Sequence, residues 1–341
     1  MNSYLIVGAG ALGLTTGWIL QQGGADIQFL VRSHRLGDLN RPQQLFSYND
    51  NQLHPFSDFR LCTLNDPPDQ INADCILLTI DGALCRTESG IDTLKHLGAV
   101  ARRNKATLIV SAVGVGLLAH IAEHTGLNQR DIVQGTMKML AYQVKPDCGM
   151  APDQRYRERH DAADIAFCIG DDGGGFFLAK KPKAGVRAFV DAYERSGIAK
   201  CTAIPNAMYE MATNLFFPVT VACEIDGWRG LDAVIANQPL WALCCEAQRE
   251  IMTIPDFGLI GKLAAWMTKD AAIAKQMLTL DQQSGAIDFN AFNRFHHGGK
   301  VVEQDIQVIE NCIQRGQQAG KAMRACRALL EQRAAMLSAD A

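Results

Sequence analysis

The sequence predicts two domains: an α/β domain over residues 1–203, built on a parallel sheet with helices on both faces, and an all-helical domain over residues 204–341. Three observations predict this. Short apolar runs alternate with helix-length segments through the first half. A glycine-rich turn joins the first apolar run to the first helical segment. Beyond residue 206 the strand signals fade, and long patterns of helical period replace them.

Taken in chain order, residues 4–7 read as a strand, 11–22 as a helix and 26–31 as a second strand. Residues 75–80 and 107–110 read as later strands, with helical patterns around 82–97 and 115–124. Between 132 and 178 the pattern becomes shorter and richer in turns. Two apolar pieces, 166–169 and 176–179, flank Gly170-Asp171-Asp172-Gly173-Gly174-Gly175, which predicts a hairpin region extending the sheet. Helical patterns then cover 207–225, 231–253, 260–280, 300–316 and 324–337.

Composition narrows the class. At 341 residues the chain exceeds what one hydrophobic core usually serves, and 48% hydrophobic with 20% charged residues belongs to a folded protein. A net charge of −3 provides no global field to gather nucleic acid or anionic lipid. The 11 cysteines have neither CxxC nor metal-ligand spacing, so they are expected to be free thiols in a reducing cytosol, with no metal bound. The opening MNSYLIVGAGALG lacks a basic leader region, and no run of about 18 apolar residues occurs, so a cytoplasmic protein without a membrane span is expected.

Gly8-Ala9-Gly10-Ala11-Leu12-Gly13 matches G-x-G-x-x-G between a predicted strand and a predicted helix. In that setting the first glycine makes the tight turn, the second admits a pyrophosphate to the backbone, and the third lets helix and strand pack closely. The helix N-terminus offers its free N–H groups to the phosphates. This is the signature of a Rossmann-type dinucleotide-binding domain. The end of the second strand should then read the adenosine ribose. Phe29-Leu30-Val31-Arg32-Ser33-His34-Arg35 has no acid there, and Arg32, Ser33 and Arg35 can hold a 2′-phosphate, which favours NADP(H) over NAD(H). Two solvated surface arginines are the competing reading.

On these residues the chain resembles the ketopantoate reductase (2-dehydropantoate 2-reductase) family. The likeness rests on the opening I-V-G-A-G-A-L-G, the strand-end arginine, the 166–170 piece with its turn, the Ala207-Met208-Tyr209-Glu210 helix start and Gly299-Lys300-Val301-Val302-Glu303-Gln304-Asp305. The last resembles the family's G-R-x-T-E-I-D, with the glutamate and aspartate kept at Glu303 and Asp305. The resemblance implies a Rossmann domain followed by a helical domain like the C-terminal one of 6-phosphogluconate dehydrogenase. It further implies a small-molecule substrate in the cleft between them, Ile80 and Gly114 beside the cofactor, and a possible homodimer.

The departures are specific. A lysine usual after the family's fourth-strand Thr-Leu is replaced in Thr79-Ile80-Asp81. The family's H-N-G-x-G becomes Ala112-Val113-Gly114-Val115-Gly116, without the amide. Its proton-donating lysine falls on Met211, or on Glu210 if Asn214 is held in register, and its substrate serine falls near Ala291. Reduction of a 2-oxo acid needs a proton for the developing alkoxide and a cation for the carboxylate. An NADPH-dependent oxidoreductase with a substrate other than ketopantoate is therefore expected, the alternative being an NADP(H)-binding sensor without turnover.

The catalytic candidates are Glu303, Asn214 and His297, each with a plainer reading. Glu303 matches the motif, yet a carboxylate in a first helical turn also suits the macrodipole. Asn214 can bond substrate or satisfy backbone near Pro218. His297, in His296-His297-Gly298-Gly299-Lys300, can act as a general acid with Lys300 holding a carboxylate, although loop histidines without chemistry are the simpler reading. Asp81 is either a selector of cationic substrates or an N-cap. Lys138 is a further candidate for the cleft, and Phe216, Phe217, Trp228, Trp241 and Trp266 read as core or subunit contacts.

Overall fold

The first strand alternates its side chains between two cores, and the rest of its domain is organised around that alternation. The computed structural model describes residues 2–146, 148–150 and 152–339. Its first compact unit runs to Asn206 and includes Ser284–Ile287; the second comprises Ala207–Gln283 and the residues from Asp288 onward.

In chain order the first unit has β1 (Ser3–Val7), α1 (Ala11–Gln22), β2 (Asp26–Leu30), α2 (Leu36–Leu39), β3 (Gln43–Ser47), β4 (Gln52–Phe56), β5 (Arg60–Cys62) and β6 (Cys75–Leu78). It continues with α3 (Gly82–Cys85), α4 (Glu88–Asn104), β7 (Thr107–Val110), α5 (Leu117–Thr125), β8 (Val133–Met137) and β9 (Leu140–Gln143). It ends with α6 (Arg157–Asp161), β10 (Ile165–Cys168), β11 (Gly174–Ala179), α7 (Lys183–Glu194) and β12 (Lys200–Ile204). An eight-stranded sheet has the order β12-β11-β8-β7-β6-β1-β2-β5. It is parallel from β5 to β8, and β11 joins β8 antiparallel. Tyr4 and Ile6 of β1 pack with Leu14 and Trp18 of α1 and Phe189 of α7, whereas Leu5 and Val7 pack with Leu94 and Leu97 of α4 and Ile121 of α5. Both sheet faces are thus covered, and each fully buried leucine or isoleucine contributes about 1.5–3 kcal/mol.

The sequence pattern overlooked a second sheet of order β4-β3-β10-β9. It covers α1, with the Trp18 ring 5.5 Å from that of Phe167. The expected hairpin is therefore corrected: β10 pairs with β3 and β9, while β11 lies between β8 and β12 in the other sheet. The glycine-rich turn carries the chain from one sheet to another, and an alternating pattern does not reveal which partner a strand takes.

The second unit is helical: α8 (Asn206–Asn214), α9 (Phe217–Ile225), α10 (Leu231–Ala236), α11 (Gln238–Met252), α12 (Gly258–Met267), α13 (Asp270–Gln282), α14 (Phe289–Phe295), α15 (Val302–Gln318) and α16 (Arg324–Ala339). Three predicted helices are each two. Pro218 and Pro239 fall in the opening turns of α9 and α11, where the missing N–H costs nothing, and so mark new helices. The 260–280 pattern breaks at extended Thr268 and Lys269. Lys300 lies outside α15, in a π-helical turn, His296–Lys300. No helix among the described residues is long and apolar enough to cross a membrane.

Candidate functional site

β1 leads into the glycine turn at the point where the sheet reverses order, with β2 on one side and β6 on the other, the place where such sheets bind ligands. Gly8 has φ +102°, a conformation that disfavours a side chain. A Cβ on Gly13 would lie 2.1 Å from the Gly8 carbonyl oxygen, so only glycine allows the helix this close to the strand end. Thr79 fixes the turn from β6's end, its hydroxyl donating to the carbonyl oxygens of Val7 at 2.8 Å and Gly8 at 3.1 Å. Ile80 packs alongside, its Cγ2 3.2 Å from where a Gly8 Cβ would stand.

This geometry fits a dinucleotide. A Cβ on Gly10 would meet no heavy atom within 4 Å, so the backbone there borders open space. No side chain caps the N-terminus of α1, and its first turn holds no acid. Ala11, buried, and Leu12, half-buried, begin the helix whose first N–H groups face an anion. At the end of β7, Ser111 has a buried hydroxyl without a partner. Val113 and Gly114 follow, and a Cβ on Gly82 would come within 2.6 Å of the Val113 carbonyl oxygen, so this loop rests on the start of α3.

The strand-end arginines differ from each other. Arg32 is exposed in an extended conformation before the 3₁₀ turn Ser33–Arg35, and Ser33 is exposed as well. Arg35 lies 3.3 Å from the Asp38 carboxylate, an ion pair without hydrogen-bond direction at Nε. Arg32 is thus the better placed of the two to take a phosphate. Asp81 caps α3, accepting from the Leu84 N–H at 2.6 Å. Lys138 is paired with Asp172 and lies 5.5 Å over the Phe177 ring.

In the helical unit the π-turn brings His297 to the first turn of α15. Its Nδ1 lies 2.7 Å from Asp305 Oδ2, which also accepts from the Thr220 hydroxyl at 3.2 Å. Asp305 is buried, and its Oδ1 has no partner. Burial pushes its carboxyl above the usual range, against the opposing pull of the His297 and Thr220 hydrogen bonds. His297 also meets the Phe216 ring edge-on, centroids 5.4 Å apart. Its neighbour His296 stacks on Phe292, and burial, with the charges of His297 and Lys300, lowers it to about 3. Trp228 supports the turn: its indole would lie 2.9 Å from a Cβ on Gly298. Single π-turns recur at functional positions because they redirect one side chain out of helical register.

The other two catalytic candidates stand apart from this pair. Glu303 is exposed, while Asp305, two residues on, is buried; Glu303 acts electrostatically on Arg333, which binds Glu224 through two hydrogen bonds of 2.5 and 2.9 Å. Asn214 is buried and donates to the Glu210 carbonyl at 2.6 Å, leaving Oδ1 unpartnered. Phe217 and Trp241 are core residues, whereas Trp266 is exposed. Sequence reasoning missed Thr220 and the pairing of His297 with Asp305, since eight positions of separation match no helical contact until the π-turn is known.

Residues 4–146, which include the whole glycine turn, match the family model described as ketopantoate reductase PanE/ApbA. That segment is similar to the ketopantoate reductase family. No curated protein matches in sequence. Among solved structures, 2-dehydropantoate 2-reductase from Geobacter metallireducens superposes with a TM-score of 0.66 at 15% identity, covering 97% of this chain and 98% of its own. D-mandelate dehydrogenase, in a ternary structure with NADH and anilino(oxo)acetate, has a TM-score of 0.66 at 12% identity over 99% of this chain and 98% of its own. Ketopantoate reductase from Staphylococcus aureus, described as dimeric, gives 0.62 at 11% over 99% of this chain and all (100%) of its own. At such identities the full-length likeness shows the ketopantoate reductase fold.

Proposed function

We propose that the chain is an NADP(H)-dependent oxidoreductase of ketopantoate reductase type, transferring hydride to the carbonyl of a small 2-oxo acid, or a related imine, other than ketopantoate. The observation that carries this reading is the glycine turn: open space at Gly10 beside an uncapped α1, with Gly8 and Gly13 shaped as only glycine allows. Exposed Arg32, with no acid at the strand end, supports the 2′-phosphorylated form.

When bound, the nicotinamide supplies the hydride to the carbonyl carbon. His297 supplies the proton: the imidazolium gives its Nε2 proton to the developing alkoxide and returns to the neutral ring, with Nδ1–H held by Asp305. Asp305 orients the ring and stabilises its cation. Asn214 and Glu303 remain candidates for a hydrogen bond to a substrate hydroxyl or amine. We read the enzyme as cytoplasmic, in keeping with cysteines that are all unpaired, and as a homodimer, as its Staphylococcus aureus relative is described.

Met211 at the position of the family's lysine favours a second reading, a sensor that binds NADP(H) without turnover. Titration with NADPH and NADH, followed by single-turnover oxidation of bound NADPH against a panel of 2-oxo acids with and without amines, separates the two. Oxidation by one of them supports the enzyme. Tight binding with none oxidised supports the sensor, and failure to bind either nucleotide overturns both.

A further inference from the structure

Helix α12 is built inside out. Its buried positions are small, Gly261 and Ala265, and a Cβ on Gly261 would come within 2.1 Å of the Met252 carbonyl oxygen, so the helix lies tight against the end of α11 through a seam of small residues. Its large residues face away: Leu259 is 81% exposed, Ile260 57%, Leu263 56%, Trp266 83% and Met267 63%. An ordinary surface helix has the opposite arrangement, with large apolar groups inward.

The five fall at i, i+1, i+4, i+7 and i+8, a single stripe roughly 120° wide at about 100° per residue. The other large hydrophobic residues exposed among the described ones, Leu64, Met208 and Leu337, lie singly on other parts of the chain. Together the stripe presents on the order of 700 Å² of largely apolar surface, above the roughly 300–600 Å² of the largest patch on a typical monomer and close to the roughly 800 Å² each partner gives to a standard interface.

Charge indicates what covers it. Lys262 is the one charged residue on α12 and flanks the stripe; Asp256 precedes the helix and Lys269 follows it. Two copies laid antiparallel match stripe with stripe, set Asp256 of one, which also lies 3.9 Å from Arg315 of its own chain, near Lys269 of the other at both ends, and oppose their helix dipoles. A membrane surface would be served by a helix with a basic polar face, and the other side of α12 is packed on its own protein instead. We propose that two copies of the chain associate through their α12 faces, packed antiparallel about a twofold axis. This rests on the homodimer reading above and assigns its surface.

Sedimentation equilibrium on the full-length protein over a wide concentration range tests it, with L263E, W266E and their combination compared against wild type. The substituted residues are exposed, so circular dichroism and thermal unfolding should confirm intact variants. A wild-type dimer whose dissociation constant rises at least 100-fold in the double variant is the expected result. A dimer undiminished in the double variant overturns the α12 assignment and leaves the homodimer standing. Wild type monomeric throughout overturns both. A monomer that cosediments with phosphatidylcholine–phosphatidylserine vesicles through Trp266 overturns them in favour of a lipid-facing helix.

Discussion

His297 holds Nδ1 2.7 Å from Asp305 Oδ2, and the other oxygen of that buried carboxylate has no partner. A buried carboxylate so sparsely served is costly unless its one strong partner is charged when it matters. Under the function proposed above, this pair carries the proton of the reaction. His297→Asn should lower the single-turnover rate by roughly 10²–10⁴-fold while NADPH affinity stays within about twofold, and Asp305→Asn should follow it, since the ring loses both orientation and charge stabilisation. If both variants turn over at the wild-type rate, the proton comes from another group.

Gly10 and Gly13 make a matched pair of tests for the dinucleotide. A methyl group at Gly13 would clash with backbone, 2.1 Å from the Gly8 carbonyl oxygen, whereas at Gly10 it would touch nothing of the protein within 4 Å. Gly13→Ala should therefore lower the melting temperature by several degrees, and Gly10→Ala should leave it within about 1 °C while weakening NADPH by tenfold or more. Unchanged NADPH binding by Gly10→Ala would place the pyrophosphate elsewhere.

Arg35 is drawn toward Asp38, and Arg32 is not. Arg32→Ala should therefore weaken NADPH by about 10- to 100-fold and NADH by less than threefold, measured by fluorescence titration. Asp38→Asn should do the reverse, tightening NADPH severalfold by releasing Arg35 and removing a negative charge near the 2′-phosphate. Equal losses of both nucleotides in Arg32→Ala would end the NADP assignment.

What the sequence disclosed follows from how local each signal is. β1, α1 and the glycine turn are specified within a few residues of one another, and α1 runs over the expected residues, Ala11–Gln22. Asp81 as an N-cap is equally local. In the sheet formed by β3, β4, β9 and β10, the β3–β4 hairpin is local, pairing Ser47 with Gln52, but its junction with β10 pairs Phe46 with Ala166, far apart in the chain, which no local pattern reveals. The motif keeps both Glu303 and Asp305, and of the two it is Asp305 that is buried and hydrogen-bonded to His297. Only the π-turn, which no helical period announces, brings His297 to it.

His296 has a consequence for stability that can be isolated. Burial, with His297 and Lys300 beside it, holds its folded-state value at about 3, against 6.5 for an ordinary histidine. Between those values the unfolded chain binds a proton that the folded chain refuses, so this group removes stability as pH falls from about 6.5 toward 3, by at most about 1.4 kcal/mol per pH unit. Asp305 works in the opposite direction, because its raised carboxyl takes up a proton in the fold before the unfolded chain does. His296→Phe keeps a ring against Phe292 and cannot titrate, while Asp305 is common to both proteins and drops out of their difference. Urea unfolding from pH 7 to 4 should therefore show the variant gaining on wild type steadily below about pH 6.5. Parallel pH profiles would mean that His296 takes its proton as readily in the fold as out of it, and that the turn is open to water.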